Sequence, residues 1–245
     1  MNWAGWPESK PEEYTPRMID LQFDLVGTTI PTENAQLLAD ALLRLLPWLG
    51  EEPGCGLQHL KGAETNSGDV ALNINRRTKL FIRVPKTRVD DMQGLVGKTL
   101  DLAGHALQIG SFKTREFSPF ASIYAHFVDT GGATEEQFVQ DVMRELDGHF
   151  QLRCGFICGK PQTLQSASGP LHGFSLMLHD VPPHKSLQLQ DEGMGRNRLL
   201  GCGIFIPHKS IAPVHCRSLK PHAGLSGESL NNQPERRKHV LCCKW

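Results

Sequence analysis

The sequence predicts an α+β protein built from two tandem units. Three observations carry this reading: a strand of period-two alternation at 18–26 followed by an amphipathic helix, a second strand and helix from residue 121, and further strand-like runs behind each pair. In both units the order reads strand, helix, strand, strand, helix, strand, which places the helices on one face of an antiparallel sheet. This is the ferredoxin-like, RRM-like plan, repeated in pattern and not in sequence.

In the first unit, Ile19, Leu21, Phe23 and Leu25 alternate with Asp20, Gln22 and Asp24, so one face of that strand is buried. Thr32 can cap the following helix, whose Ala35, Leu38, Leu42, Leu45 and Leu46 form one stripe before Pro47 and Gly50 end it. Strands are expected at 56–61 and within 70–84, the latter folded as a hairpin about Asn75 to Thr78, then a short helix at 89–95 and a strand at 100–109. In the second unit a strand at 121–128 leads to Thr134-Glu-Glu-Gln137, a capping box opening a helix with Phe138, Val142 and Leu146 on one side. Strands at 150–157 and 171–178, a short helix at 184–191 and a strand at 203–206 complete it. The boundaries predicted are a flexible extension over 1–17, an N-terminal domain over 18–115, a joint near Lys113 to Pro119, a C-terminal domain over 119–211 and a disordered tail over 212–245.

The start, MNWAGWPESKPEEYTPR, lacks the basic and apolar regions of a signal peptide, and the longest apolar run, 41–49, is broken by Arg44 and Pro47. A cytoplasmic protein with no membrane partner is expected. Seven cysteines in irregular positions suggest reduced, buried thiols. No metal is expected: Cys154 and Cys158 lack zinc-ligand spacing, and the tail's His215, Cys216, His222, His239, Cys242 and Cys243 match no zinc module. The terminal CCKW is a poor prenylation signal. Net charge is zero, which argues against non-specific coating of nucleic acid. Basic residues nevertheless cluster: Arg76, Arg77, Lys79, Arg83, Lys86 and Arg88 stand together without an acid, as do Arg196, Arg198 and Lys209. Such runs are often only a solvated face.

The run 193–207, GMGRNRLLGCGIFIP, carries four glycines around two arginines. It is neither a Walker loop, which needs a Gly-Lys-Ser/Thr ending, nor a dinucleotide loop, because Arg198 stands where the third glycine belongs. No nucleotide cofactor is expected. Glycines at Gly193, Gly195, Gly201 and Gly203 permit positive φ and close approach of a ligand, and arginines beside them can face phosphates.

That loop resembles the C-terminal glycine-rich motif of the RAMP superfamily of RNA-binding proteins. GTTIP at 27–31, LLPWL at 45–49, GKTLDLAGH at 97–105 and LQDEGMGRNRLLGCGIFIPHKSI at 189–211 are similar to the CRISPR repeat endoribonucleases (the Cas-six family), specifically their MYXAN-type branch. The likeness spans about residues 18–211. It implies paired ferredoxin-like domains and metal-independent cleavage of a CRISPR repeat, in which the ribose 2′-hydroxyl attacks the adjacent phosphorus to leave a 2′,3′-cyclic phosphate. Such chemistry needs a base, an acid and a cation.

The resemblance also implies that a catalytic histidine stands on or just after the first helix. His59 fits that place, with Lys61 as a source of positive charge; His105 is second choice, and Arg44 is an alternative cation. His172, His179 and His184 have no argument in their favour. The first helix has no tyrosine, since the chain's two are Tyr14 and Tyr124. Repeat RNA is the expected partner, held by Arg76, Arg77, Lys79 and Arg83 along a hairpin, by the glycine loop with Arg196 and Arg198, and by His208 and Lys209 beyond the last strand. Retention of the crRNA stem-loop within a type I Cascade follows from the likeness, with backbone and small or large Cas proteins as further partners, and transposon-associated proteins where the system serves a transposon. Two rivals stand beside this reading: a non-cleaving RAMP subunit of a CRISPR effector, and a ferredoxin-like metabolic enzyme or small-molecule sensor.

Overall fold

The computed structural model describes residues 13–64, 71–132, 134–209 and 242–243. Strand β1 (Met18–Val26) is followed by β2 (Thr29–Pro31), helix α1 (Ala35–Leu45), β3 (Gly56–Leu57), β4 (Ala63–Glu64), β5 (Ala71–Asn73), β6 (Lys79–Pro85), β7 (Thr99–Leu102) and β8 (His105–Arg115). The second half runs β9 (Ile123–Val128), α2 (Glu135–Gly148), β10 (Gly155–Ser166), β11 (Gly169–His179), α3 (Pro183–Glu192) and β12 (Phe205–Pro207), and β13 (Cys242–Cys243) adds an edge strand to β10.

Two five-stranded antiparallel sheets result, ordered β3-β6-β1-β8-β7 and β12-β9-β11-β10-β13. Setting aside the extra edge strands β7 and β13, each has its four main strands in the spatial order fourth, first, third, second, the ferredoxin-like topology expected. Leu38, Ala39, Ala41 and Leu42 of α1 bury their stripe in the first core with Leu21, Phe23, Leu80 and Ile82. Phe138, Val142 and Leu146 of α2 pack in a second core with Ile123, Ala125 and Leu176. Thr134 caps α2 by accepting from the Gln137 amide. Cys55, Cys154, Cys158 and Cys202 are buried free thiols. No helix among the described residues is long and apolar enough to cross a membrane.

Several local expectations give way. The hairpin within 70–84 does not form: β5 pairs with β2 and β4 in a separate three-stranded sheet, while β6 pairs with β1 and β3. The helix at 89–95 is a run of 3₁₀ turns anchored by buried Met92 and Leu95. The strand at 100–109 splits into the hairpin β7–β8, because Ala103 and Gly104 both take positive φ. Within the expected flexible extension, Tyr14 is tied down, its hydroxyl donating to Asp191 Oδ2 at 2.7 Å. Within the expected disordered tail, Cys242–Cys243 forms β13; its remaining residues, like residues 1–12, lie outside those described.

Candidate active site

The site lies where the two halves of the chain meet. The chain leaving β3 carries His59 and Lys61, and β9 of the other sheet presents Tyr124 and His126. On β9, Ile123, Ala125 and Phe127 face the core, so period two turns Tyr124 and His126 to the opposite face. Beyond β12, the His208 amide donates to the Ser122 carbonyl, which brings its ring within 5.7 Å of Tyr124.

Lys61 Nζ lies 2.7 Å from His126 Nε2. An ammonium can only donate, so Nε2 accepts and His126 is a neutral imidazole with its proton on Nδ1. The rings of His59 and Tyr124 stand edge-on to His126, at 6.5 and 4.7 Å between centroids. Burial, reinforced by the charge of Lys61 and then by His59 and His208, lowers the His126 pKa to about 4. Burial and Lys61 also lower that of His59, against an opposing influence of the Gly201 backbone. Burial lowers Lys61 itself. His59 Nε2 is buried and has no hydrogen-bond partner among the described residues.

A cleft of about 340 Å³ opens over this cluster, lined by Gln58, His59, Lys61, Arg77, Lys79 and His126 among others. Arg76 and Arg77 are exposed and make no side-chain ion pair among the described residues, whereas Lys79 is held by Asp24 at 2.8 Å. A neutral imidazole, an ammonium ion and the exposed guanidinium of Arg77 around one cleft suit an anionic substrate that loses a proton as it reacts. Among the described residues, no group of three or more His, Cys, Asp or Glu side chains stands where it could hold a metal ion.

Of the residues singled out in the sequence, the fold brings His59, Lys61, Arg77 and Lys79 into this cleft and sets His208 beside it. Lys209 follows with an exposed side chain, its carbonyl bonded to His208 Nδ1. His105 does not join them: it begins β8, where its Nδ1 is 2.7 Å from Thr29 Oγ1. Arg44 sits exposed on α1. Arg83 is corrected outright, since its side chain is only 2% exposed and bound to Asp20, leaving nothing for an RNA backbone to touch.

The glycine loop also differs from expectation. Arg196 pairs with Asp129 at 3.1 Å, and Arg198 lines a separate cleft with Asp191, Glu192 and Lys86. The four glycines face protein: side chains at Gly193 and Gly203 would strike the backbone at Gly203 and Met194 respectively, one at Gly195 the Asp129 backbone, and one at Gly201 the His59 ring, 2.8 Å from Nε2. The loop thus packs against the site, with Leu199 and Leu200 set on the first core.

The sequence reading gives no site role to Tyr124 or His126: it takes 121–128 simply as a strand and Tyr124 only as a tyrosine outside the first helix. The signal was present: the outward face of β9 carries Tyr and His at i and i+2, where a solvated strand ordinarily carries charged or hydroxyl side chains.

Comparison with known proteins agrees with this architecture. The family described as Cas6 Crispr matches residues 19–210. The CRISPR-associated endonuclease Cas6 of Myxococcus xanthus (strain DK1622) is 32% identical over 197 residues, which cover 80% of this chain and 84% of that protein. A solved CRISPR associated protein Cas6 superposes with a TM-score of 0.56 at 10% identity, covering 78% of this chain and all of the other. An RAMP protein described as binding different RNA substrates superposes at 0.53 and 11% identity, over 76% and 98% of the two chains. The sheet order, the length of the match and the identity to the Myxococcus protein agree, and the chain belongs to the Cas6 family of CRISPR proteins.

Proposed function

We propose that this protein is the endoribonuclease that processes CRISPR precursor RNA, cutting within the repeat by internal attack of a 2′-hydroxyl. The observation that carries the reading is the Lys61–His126 pair, a neutral imidazole and an ammonium 2.7 Å apart in a cleft edged by Arg77. The kinship with an endonuclease supports it.

In the proposed reaction, the scissile phosphate draws the Lys61 ammonium onto a non-bridging oxygen, which frees the lone pair of His126 Nε2. That nitrogen takes the 2′-hydroxyl proton as the 2′-oxygen bonds to phosphorus. The bond from phosphorus to the 5′-oxygen breaks, Lys61 supplies the proton that the leaving oxygen needs, and the products are a 2′,3′-cyclic phosphate and a 5′-hydroxyl. Both proton carriers and the phosphate-stabilising cation are side chains of this protein, so the scheme is metal-independent. His59 backs the pair, its ring sealed under Gly201 and its edge toward His126. Tyr124 supports the His126 ring edge-on, with His208 5.7 Å beyond it. Arg76 and Arg77 meet the stem of the repeat hairpin, where phosphate and shape contacts dominate recognition of A-form RNA. After cleavage the protein stays on the crRNA as a subunit of a type I Cascade.

Incubation with repeat RNA in EDTA tests the scheme. A product ending in a cyclic phosphate, lost in His126→Ala, is expected. Tight binding with the RNA left intact refutes it and identifies a non-cleaving RNA-binding subunit instead. Co-purification of the crRNA with backbone Cas proteins tests the Cascade assignment.

A further inference from the structure

The reacting pair is assembled from two sheets, so something must fix their separation. Lys61 follows β3 in one sheet and His126 lies on β9 in the other. Surface contact alone leaves an inter-domain joint free to slide or rock.

Asp191 of α3 ties the halves together at one point, accepting from the Met18 amide and the Tyr14 hydroxyl, each at 2.7 Å, and Arg83 bridges them beside the site. Arg83, on β6, sits opposite Asp20 of β1 in register, and its guanidinium grips that carboxylate through two parallel bonds, Nε to Oδ1 at 2.7 Å and a terminal nitrogen to Oδ2 at 2.9 Å. Its other contacts cross to the second sheet. One terminal nitrogen donates to the carbonyl of Gln190, in the last turn of α3, and the other to the carbonyl of Phe205 on β12, at 3.1 Å. The first of these carbonyls belongs to the helix end that would otherwise lack a donor, and the second to a strand at the sheet's edge. The ring of Phe117, in the connection between the halves, lies 4.5 Å from the guanidinium carbon.

Each end of this bridge leads to a reacting group within a few residues. On the first side, Arg83 pairs in register with Gly56 of β3, and Asp20 Oδ2 also accepts from the side chain of Gln58, next to His59. On the second side, Phe205 and Ile206 pair with Ala125 and Tyr124 of β9, which continues into His126. The halves are closely apposed here, since a side chain at Gly56 would run into Ile204.

We infer that Arg83 is a positioning residue for the cleavage reaction, a buried clamp that holds the Lys61 half of the site against the His126 half. This rests on the proposed catalytic pair. Arginine is required because one planar group must meet a carboxylate and two carbonyls at once, which a lysine's single ammonium cannot do in the same geometry.

Burial is the largest cause of the lowered titration of His126, followed by Lys61 and His59 from the chain after β3 and His208 after β12; Tyr124 also faces the ring, Arg77 and Lys79 share its cleft, and Gln162 of β10 is bonded to the His126 carbonyl. Of these, Lys61 and His59 belong to the half that Arg83 holds. Loosening the clamp therefore lets His126 titrate nearer its ordinary range, and it separates the base from its cation.

The test uses three full-length variants. Arg83→Met leaves Asp20 buried and unpaired, so the double variant Asp20→Asn/Arg83→Met removes both charges together and retains a foldable core. Arg83→Lys keeps the charge pair and loses the fork, and it decides the matter should both methionine variants unfold. The first readout is NMR titration of His126 without RNA. Its midpoint is expected to rise from the wild-type value of about 4 toward 6.5 in every folded variant. The second is single-turnover cleavage, expected to fall about 100-fold, the size of loss that follows from a displacement near 1 Å. RNA affinity is expected to change by less than about threefold, because Arg83 is not exposed to RNA. A folded variant with an unmoved His126 midpoint and undiminished cleavage overturns the proposal. A wild-type protein that fails to cleave defeats the catalytic reading, and the NMR readout still decides whether Arg83 governs the joint.

Discussion

Replacing Lys61 with methionine isolates the charge that the proposed chemistry depends on. Methionine keeps the unbranched stem and removes the ammonium 2.7 Å from His126 Nε2. Lys61 is exposed, so the weak, water-screened limit applies: 332 divided by a dielectric of about 80 and by that distance gives about 1.5 kcal/mol of repulsion against a protonated His126. At about 1.4 kcal/mol per pH unit, its removal raises the His126 midpoint by about one unit, from about 4 to about 5. The midpoint should stop short of 6.5, because burial is the larger cause of the depression and remains. Imidazole NMR across pH 3 to 9, assigned with His126→Gln, measures both values. In cleavage the same substitution should lower the maximal rate by about 100-fold or more and move the acid limb of the profile upward, since the base must lose a proton to act. A wild-type midpoint near 6.5, or an unchanged one in Lys61→Met, refutes the pairing.

Three further outcomes follow. Gly201→Ala places a methyl 2.8 Å from His59 Nε2 at a backbone φ of +87°, so a stability loss of about 1–2 kcal/mol is expected, read as a lower midpoint in urea, together with slower cleavage. Arg76→Ala and Arg77→Ala should each weaken RNA binding and lower the slope of log affinity against log salt by about one, with the rate at saturating RNA retained; an unchanged slope removes them from the interface. His105→Ala should cleave at the wild-type rate, because its ring is spent on Thr29 at the start of β8, and a loss beyond tenfold would require a second site.

The fold was legible because alternation and capping are local. Ile19, Leu21, Phe23 and Leu25 declare one buried face of β1, and Thr134 to Gln137 declare the start of α2. Failures came where partners are distant in sequence. Nothing near Leu72 shows that β5 will pair with Ile30 of β2 and leave β6 to β1. Arg83 shows the same limit. As one of six basic residues within 76–88 it reads as part of a charged surface, yet it faces Asp20, 63 residues away, on a sheet face that the second half of the chain covers. The alternation assigned Asp20 to solvent, and it is 8% exposed. A carboxylate and a guanidinium in register across two strands can be buried together where either alone would be prohibitively costly.

The candidate site divides along the same line. His59 and Lys61 are legible through the family resemblance, which points to the segment after the first helix, whereas His126 lies 65 residues beyond Lys61 and meets it only once the two sheets are docked. The glycine loop was read as a cradle for phosphate because four glycines and two arginines have the chemistry for one. Spacing reveals that a backbone must approach something closely and is silent on what. Here the surfaces approached by the glycines are Asp129, Met194 and the ring of His59, while Arg196 pairs with Asp129 and keeps a 64% exposed side chain. The loop's link to the candidate site runs through packing: the positive φ of Gly201 lets the chain pass over His59, and Leu199 and Leu200 beside it anchor the second half to the first core. The motif thus has a packing duty of its own, since the absence of a side chain at Gly201 is what leaves room for the ring of His59 beside His126.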